Sequence, residues 1–325
     1  MSQAENWTVR ALLEWTASFF KKKGMETPRL DAEVLLAFVL KTTRIDLYVR
    51  YDETPDDEQR ARYRNLVKRR SLGEPVAYLV GKKEFFALDF EVDARVLIPR
   101  PETEELVSLV LESIKKQTKA FSAEFESTSG NESDVVEDSE IVETTQRKLK
   151  TVLSGKWNLC DVGAGSGCIA VSLAKNLRES QIVALDVSDE ALEVASRNAS
   201  KNGVEKQIEF YKSDLFDAVQ GRLFHLIVSN PPYVAENEYA ELEPTVRQYE
   251  PRLALLGGAS GAELPLRLVA QAPDFLMSDG KIFIELSPTT VNLVATQMKE
   301  DSRWRDVAVI RDMSRLERFI VATRN

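Results

Sequence analysis

Asn230-Pro231-Pro232-Tyr233 brings together four residues whose chemistry suits a planar nitrogen. An amide or aromatic amine nitrogen is a weak nucleophile, because its lone pair is delocalised into the adjoining π system. To attack an electrophilic carbon it must be held in line, with its N–H hydrogens bound by acceptors. The side-chain oxygen of Asn230 and the backbone carbonyl of Pro231 can provide that pair. Pro231 and Pro232 restrict the local backbone and so preorganise those carbonyls. Tyr233 offers a flat face on which a planar group can stack. The competing explanation is a strand-ending turn, for which Asn-Pro is ordinary. No strong general base is apparent, and none is needed: the attacking N–H becomes acidic once carbon–nitrogen bonding begins.

A second segment, Asp161-Val162-Gly163-Ala164-Gly165-Ser166-Gly167, sits where an apolar strand turns into a helix. Glycines there let the backbone approach a ligand closely, and the helix N-terminus offers unpaired N–H groups. Asp186, at the end of the next apolar run, is placed to accept from ribose hydroxyls. Asp214, in Lys212-Ser213-Asp214-Leu215, could accept from an adenine amine, although an acid at a strand end is often only a cap. A dinucleotide fingerprint needs glycine at the position Cys168 occupies. The pattern is instead Gly-x-Gly-x-Gly, which resembles the first motif of the S-adenosylmethionine methyltransferases. With this loop, Asp186 and the Asn-Pro-Pro-Tyr segment in one sheet, an accidental turn becomes a poor explanation.

Several other chemistries are disfavoured. His225 is the single histidine and lies in the apolar run Leu223-Phe224-His225-Leu226-Ile227-Val228, the setting of a core histidine rather than a catalytic base. The two cysteines, Cys160 and Cys168, are too few for a disulfide framework or a metal knuckle and read as reduced core residues; no metal is expected. The net charge of −9 argues against broad affinity for phosphate backbones. That argument weakens on inspection, because eight acidic residues and no basic one fall between Ala120 and Thr145. The remainder is close to neutral, and the Ser/Thr-rich acidic stretch reads as a disordered, solvated insertion over 120–147.

The elements that must hold these residues follow from periodicity. At 325 residues, two compact units are expected. Val9, Leu12, Leu13 and Phe20 share a helical face that Gly24 can end. Thr27-Pro28 starts a second helix and Thr54-Pro55 a third, whose Asp56, Asp57 and Glu58 open it and whose Lys68, Arg69 and Arg70 close it. These basic residues read as a solvated face rather than a nucleic-acid contact. Short strands at Phe85–Phe86 and Asp89–Val92 form a hairpin linker, followed by a helix over Glu102–Lys116. From Trp157 strands and helices alternate, which implies a mostly parallel sheet covered on both faces. Val307–Ile310 and Arg318–Ala322 close it as an antiparallel hairpin. No apolar run approaches the ~20 residues of a membrane span, and no signal peptide stands at the N-terminus, so a cytoplasmic protein is expected.

Motifs beyond the two chemical segments narrow the choice. Glu74-Pro75-Val76-Ala77-Tyr78-Leu79-Val80-Gly81, Glu84-Phe85-Phe86, Val96 to Glu104 (through Pro99-Arg100-Pro101-Glu102-Thr103-Glu104) and Glu250-Pro251-Arg252-Leu253-Ala254-Leu255 resemble the HemK/PrmC family. The resemblance covers nearly the whole chain, including Arg29-Leu30-Asp31-Ala32-Glu33. It implies a Rossmann-like class I methyltransferase fold, a seven-stranded mostly parallel sheet with an antiparallel C-terminal hairpin, preceded by a small helical domain. Domains are expected at 1–73 (helical, substrate-binding), 74–98 (hairpin linker) and 99–325 (methyltransferase). The activity implied is methylation of the N5 amide nitrogen of the glutamine in the Gly-Gly-Gln motif of class I peptide-chain release factors. By the same resemblance, Gly163, Ala164, Gly165, Ser166, Gly167, Asp186, Leu215 and Asn230 touch S-adenosylmethionine, with Asp214 added from its own placement after the third strand, while Asn230, Pro231, Pro232 and Tyr233 hold the glutamine. Direct nucleic-acid contact, membrane association and oligomerisation are not expected.

Two departures from the family pattern stand out: Ala87 replaces a usual glycine, and Leu215 replaces a frequent aromatic. The nearest alternative is the related methyltransferase acting on a glutamine of a large-subunit ribosomal protein. Pro99-Arg100-Pro101-Glu102-Thr103-Glu104 looks more like the release-factor branch. A DNA adenine methyltransferase would need a positively charged, base-flipping face that the chain does not offer.

Overall fold

The computed structural model describes residues 7–128 and 156–325, with side chains described over 7–119 and 156–325. The chain divides into two compact units. The first takes the described residues up to Lys82 with Val92–Ala94 and Leu242–Glu250; the second takes Lys83–Glu91, Arg95–Glu241 and Pro251–Asn325.

Helices build the first unit: α1 (Val9–Lys22), α2 (Pro28–Leu40), α3 (Arg44–Val49), α4 (Asp57–Ser71) and α5 (Val76–Val80). Val9, Leu13 and Phe20 of α1, Leu35 and Leu36 of α2 and Tyr63 of α4 are buried in one apolar cluster. Two carboxylates are locked into it by arginines. Glu33 pairs with Arg29 at 2.7 Å and Arg44 at 2.8 Å and accepts from the Tyr48 hydroxyl at 2.5 Å. Asp31 pairs with Arg70 at 2.7 Å. Arg70 and Arg69, which pairs with Glu74, are thus committed to ion pairs. The short α3 has no counterpart among the sequence expectations. It is too brief for periodicity to show, and a reciprocal cap between Thr43 and Asp46 sustains it. A similar box between Asp56 and Gln59 starts α4 at Asp57 rather than at Thr54-Pro55.

A hairpin of β1 (Lys82–Phe85) and β2 (Leu88–Glu91) precedes the long helix α6 (Pro101–Thr128). Phe86 and Ala87, the two turn residues, have φ of 50° and 58°. A two-residue turn with both φ positive matches the twist of a hairpin but favours glycine, which explains the family's usual residue at position 87. Helix α6 runs past Lys116 into the segment expected as a disordered insertion. Half of that stretch, Gln117, Lys119, Ala120, Ala123, Glu124 and Glu126, consists of good helix formers, and it holds neither Gly nor Pro, so the helix can propagate. The rest of the expected insertion, from residue 129, lies outside the described residues.

The second unit is a seven-stranded sheet. After β3 (Asn158–Val162) come α7 (Cys168–Asn176), β4 (Gln181–Asp186), α8 (Asp189–Lys201), β5 (Ile208–Lys212) and β6 (Phe224–Ser229). A small pair, β7 (Val234–Ala235) and β8 (Leu256–Gly258), intervenes before α9 (Glu263–Gln271), β9 (Leu276–Glu285), α10 (Val291–Glu300), β10 (Trp304–Arg311) and β11 (Glu317–Arg324). The order is β10-β11-β9-β6-β3-β4-β5. Strand pairs β9-β6, β6-β3, β3-β4 and β4-β5 are parallel, whereas β11 is antiparallel to both β9 and β10.

Alternation along the strands sends residues to two cores. Leu159, Ala184, Leu226, Val228 and Phe283 join α6 and α7 on one face. Cys160, Val183, Ile227, Ile282 and Ile284 join α9 and α10 on the other. Both cysteines are unpaired. His225 accepts from the Asn158 backbone N–H through Nδ1 at 3.0 Å, and burial lowers its pKa, as suits a structural histidine. Among the described residues no helix is long and apolar enough to cross a membrane.

Candidate active site

The carboxyl ends of β3, β4 and β6 meet where the strand order reverses direction, the usual place for a ligand in an open α/β sheet. The glycine loop is fastened to β4 there. Gly163 and Ala164 N–H groups both donate to the Leu185 carbonyl, at 2.8 and 2.9 Å. Gly165 N–H donates to Asp186 Oδ2 at 2.8 Å, and Ser188 N–H donates to Oδ1 at 2.9 Å. Burial raises the Asp186 pKa, while these backbone donors oppose the rise. Gly167, the N-cap of α7, has φ of 77°, and a Cβ on it would stand 3.0 Å from Ala195 Cβ. Only glycine permits that close approach of loop to α8. The Asn198 side chain ties Ser166 down by donating to its carbonyl at 2.9 Å.

Asp161, at the end of β3, is fully buried. Its Oδ2 accepts from Ala170 N–H at 3.0 Å, but Oδ1 has no partner. Burial, with the Asp186 charge adding to it, pushes its pKa up to about 7. Asp214 and Leu215 occupy the loop after β5. Asp214 is half-exposed and pairs with Arg267 at 2.9 Å. Leu215 is buried with φ of 49°, and its carbonyl accepts from the Ser213 hydroxyl at 2.8 Å.

Asn230 follows β6 directly. Ser229 anchors that strand end by donating to the Val162 carbonyl at 2.6 Å. The Asn230 side-chain nitrogen donates to the Thr103 hydroxyl at 3.0 Å, so α6 positions the amide. A Cβ on Gly163 would lie 3.9 Å from the Asn230 carbonyl oxygen, which places the glycine loop beside the Asn-Pro-Pro-Tyr segment. Tyr233 packs partly buried against the second core, and burial lifts its pKa to about 12, so its hydroxyl stays protonated. Strand β8 clamps the segment from behind: a Cβ on Gly257 would meet the Pro232 carbonyl at 2.6 Å and Tyr233 Cα at 2.8 Å.

Sequence reasoning missed three features of this site. Thr103 lies in a quoted motif but carried no assigned role. Gly257 is required by close backbone approach. Glu285, the last residue of β9, is buried with Oε2 lacking a partner. The signal for Glu285 was present, since a lone acid ends the otherwise apolar run Ile282-Phe283-Ile284. In register β9 pairs Ile284 with Ser229, so Glu285 comes level with Asn230.

This sheet order, the glycine loop and the acid closing β4 define a class I S-adenosylmethionine-dependent methyltransferase. Residues 11–81 match the family model for the PrmC N-terminal domain and residues 138–248 that for the methyltransferase small domain. A release factor glutamine methyltransferase of Rhodopirellula baltica is 41% identical over 315 residues, spanning 97% of this chain and 95% of that protein. Another, from Chlorobaculum tepidum, is 38% identical over 323 residues and spans 98% of both. The chain belongs to the release factor glutamine methyltransferase family.

Proposed function

We propose that this protein methylates the N5 amide nitrogen of the Gly-Gly-Gln glutamine in class I peptide-chain release factors, using S-adenosylmethionine. The observation that carries this reading is the orientation of Asn230. Its nitrogen is committed to Thr103, which leaves the side-chain oxygen as the end available to accept from a substrate N–H.

The residues present suit the cofactor. Asp161 keeps an unpartnered buried oxygen at the head of the glycine loop, and the loop Gly163, Ala164, Gly165, Ser166 and Gly167, held against β4 by its own N–H groups, would let the cofactor approach the backbone closely. Asp186 retains lone pairs that would suit ribose hydroxyls, Asp214 and Leu215 would flank the adenine, and Asn230 would border the reactive end. When bound, S-adenosylmethionine supplies an electrophilic methyl group on a sulfonium. Asn230 Oδ1 and the Pro231 carbonyl accept the two N–H hydrogens of the glutamine amide and hold its lone pair in line. Pro232 stiffens that backbone, and Tyr233 stacks on the amide plane. Forming the carbon–nitrogen bond would break the methyl–sulfur bond and leave a neutral thioether, and the acidified nitrogen would release one N–H proton to solvent, so no dedicated base is required. The rate enhancement comes from alignment and preorganised dipoles.

On this reading the helical domain (1–73) helps to grip the release factor, the hairpin (74–98) links it, and 99–325 carries the chemistry. The protein acts as a cytoplasmic monomer, without direct nucleic-acid or membrane contact. The test is transfer of labelled methyl groups to purified class I release factor, with ribosomal protein and DNA as parallel acceptors. Label is expected on the release factor alone and lost when its Gly-Gly-Gln glutamine is replaced. Label on another acceptor overturns the substrate assignment.

A further inference from the structure

Glu285 is a buried acid level with Asn230, and the function above gives it no task. Hydrogen bonding joins the three side chains. Asn230 Nδ2 donates to Thr103 Oγ1 at 3.0 Å, and the donors of Thr103 and Asn230 both hold the Glu285 carboxyl below the value that burial alone would give it. An ionised carboxylate is acceptor-only, whereas a threonine hydroxyl has a single hydrogen to give. Thr103 must therefore donate toward Glu285, and its oxygen is left to accept. That turns the Asn230 nitrogen, which also faces the Glu285 carboxylate, toward Thr103.

We propose that Glu285 is a positioning residue: directly and through the Thr103 hydroxyl, it sets which end of the Asn230 amide faces the acceptor nitrogen. This rests on the role of Asn230 given above. Without that constraint the two amide orientations compete, and the wrong one presents donors to a substrate that itself brings donors. The arrangement also explains a costly feature, since an acid buried with one oxygen unpartnered is retained at the end of an apolar strand.

The device responds to pH. Burial raises the Glu285 pKa to about 7; Thr103, Arg318 and Asn230 oppose the rise, and Glu102 adds to it. The other groups facing it are Tyr233, held protonated, and Cys168, whose thiol pKa burial lifts to about 12; Arg318 is itself paired with Asp312 at 2.7 Å. Tyr233 and Cys168 stay protonated and Arg318 stays charged through neutral pH. Once protonated, Glu285 can donate to Thr103, the chain of donors can reverse, and the Asn230 oxygen can turn inward.

The experiment measures kcat, KM and cofactor affinity for wild type, Glu285→Gln, Glu285→Leu, Thr103→Val and Thr103→Ser, from pH 6 to 9, with release factor as acceptor. Wild-type kcat is expected to fall as pH drops through about 7. Thr103→Val and Glu285→Leu lose about 10- to 100-fold in kcat at pH 8 with cofactor affinity kept. Thr103→Ser restores activity, because it keeps the hydroxyl. Glu285→Gln, which can donate or accept, loses part of kcat and its acid limb disappears. Melting curves identify any variant that fails to fold, and the Thr103 pair decides the matter if Glu285→Leu is lost that way. Thr103→Val within about twofold of wild type, or an unchanged acid limb in Glu285→Gln, overturns the proposal. A wild type inert toward release factor takes down the reading of the site as well; an active wild type with indifferent variants removes only the role of Glu285.

Discussion

Glu33 in the helical unit and Glu285 in the sheet unit are equally hidden, each 1% exposed, yet they are opposites electrostatically. Burial raises the Glu33 pKa, but Tyr48, Arg44 and Arg29 outweigh it and leave the carboxyl below its usual range. At Glu285 burial wins, and the pKa rises to about 7 with one oxygen unpartnered. The first carboxylate staples α2 to α3; the second costs stability where chemistry is expected. Fully satisfied buried charges fit a structural role, and under-satisfied ones concentrate at functional sites. The two acids should therefore change stability in opposite directions when their charge is removed.

The largest expected effect lies at Asn230, through which Glu285 is held to act. Asn230→Ala should lower kcat about 100- to 1,000-fold, the usual loss for one preorganised polar group at a reacting centre. Adding Glu285→Gln to it should cost almost nothing further, because the positioned group is gone. Additive losses, read from kcat of the double variant, would place Glu285 outside this network.

At Glu33 the loss should appear in stability. Glu33→Ala should cost the helical unit about 3 kcal/mol, the lower end for breaking a buried ion pair, since Arg29 and Arg44 are partly exposed and can return to water. Cofactor affinity, measured by calorimetric titration, should not change. Because the folded pKa lies below the unfolded one, this stabilisation is present above the unfolded pKa and is lost as pH falls through the folded value.

Glu285 carries the opposite sign. Its folded pKa, about 7, lies above the unfolded value of 4.5, so the folded state binds more protons between them and stability falls as pH rises through that window. Above pH 7 the whole cost is felt, on the order of 3 kcal/mol. Glu285→Gln should recover about 1 to 3 kcal/mol at pH 8, and the gain should vanish toward pH 4.5. Asp161→Asn should behave alike, since Asp161 is also raised to about 7 with an unpartnered oxygen. Thermal melts across that range test both; destabilisation at pH 8 would mean that the charges are compensated after all.

The contrast also marks what the sequence could reveal. The glycine loop and Asn-Pro-Pro-Tyr were legible because each packs its chemistry into adjacent residues at a strand end, and strand–helix alternation located those ends. The carboxyl-terminal hairpin was legible for the same reason: two β-rich runs with only a short turn between them. Thr103, Asn230 and Glu285 meet only because β9 lies beside β6 and α6 covers the strand ends, which no local pattern encodes. The Glu33 cluster escaped similarly: Arg44 and Tyr48 come from α3, a helix too short for periodicity to expose. Leu215 shows the reverse limit. Its side-chain type was noted as a departure, but its left-handed backbone depends on the Ser213 hydroxyl and cannot be read from composition.

Asp214 offers the mildest test, an acid neither locked inside nor strained. It is half-exposed and paired with Arg267 across water-accessible surface, so removing it should change stability by less than about 1 kcal/mol. If it accepts from the adenine amine, Asp214→Ala should weaken cofactor binding about fivefold, the loss of one solvent-exposed hydrogen bond. Arg267→Ala then distinguishes the two partners of the same carboxylate. It releases Asp214 from its ion pair, so cofactor affinity should hold or tighten while stability barely moves. Calorimetric titration of both variants reads the difference directly. Equal weakening by the two would mean that the ion pair shapes the loop and that the adenine amine finds its acceptor elsewhere.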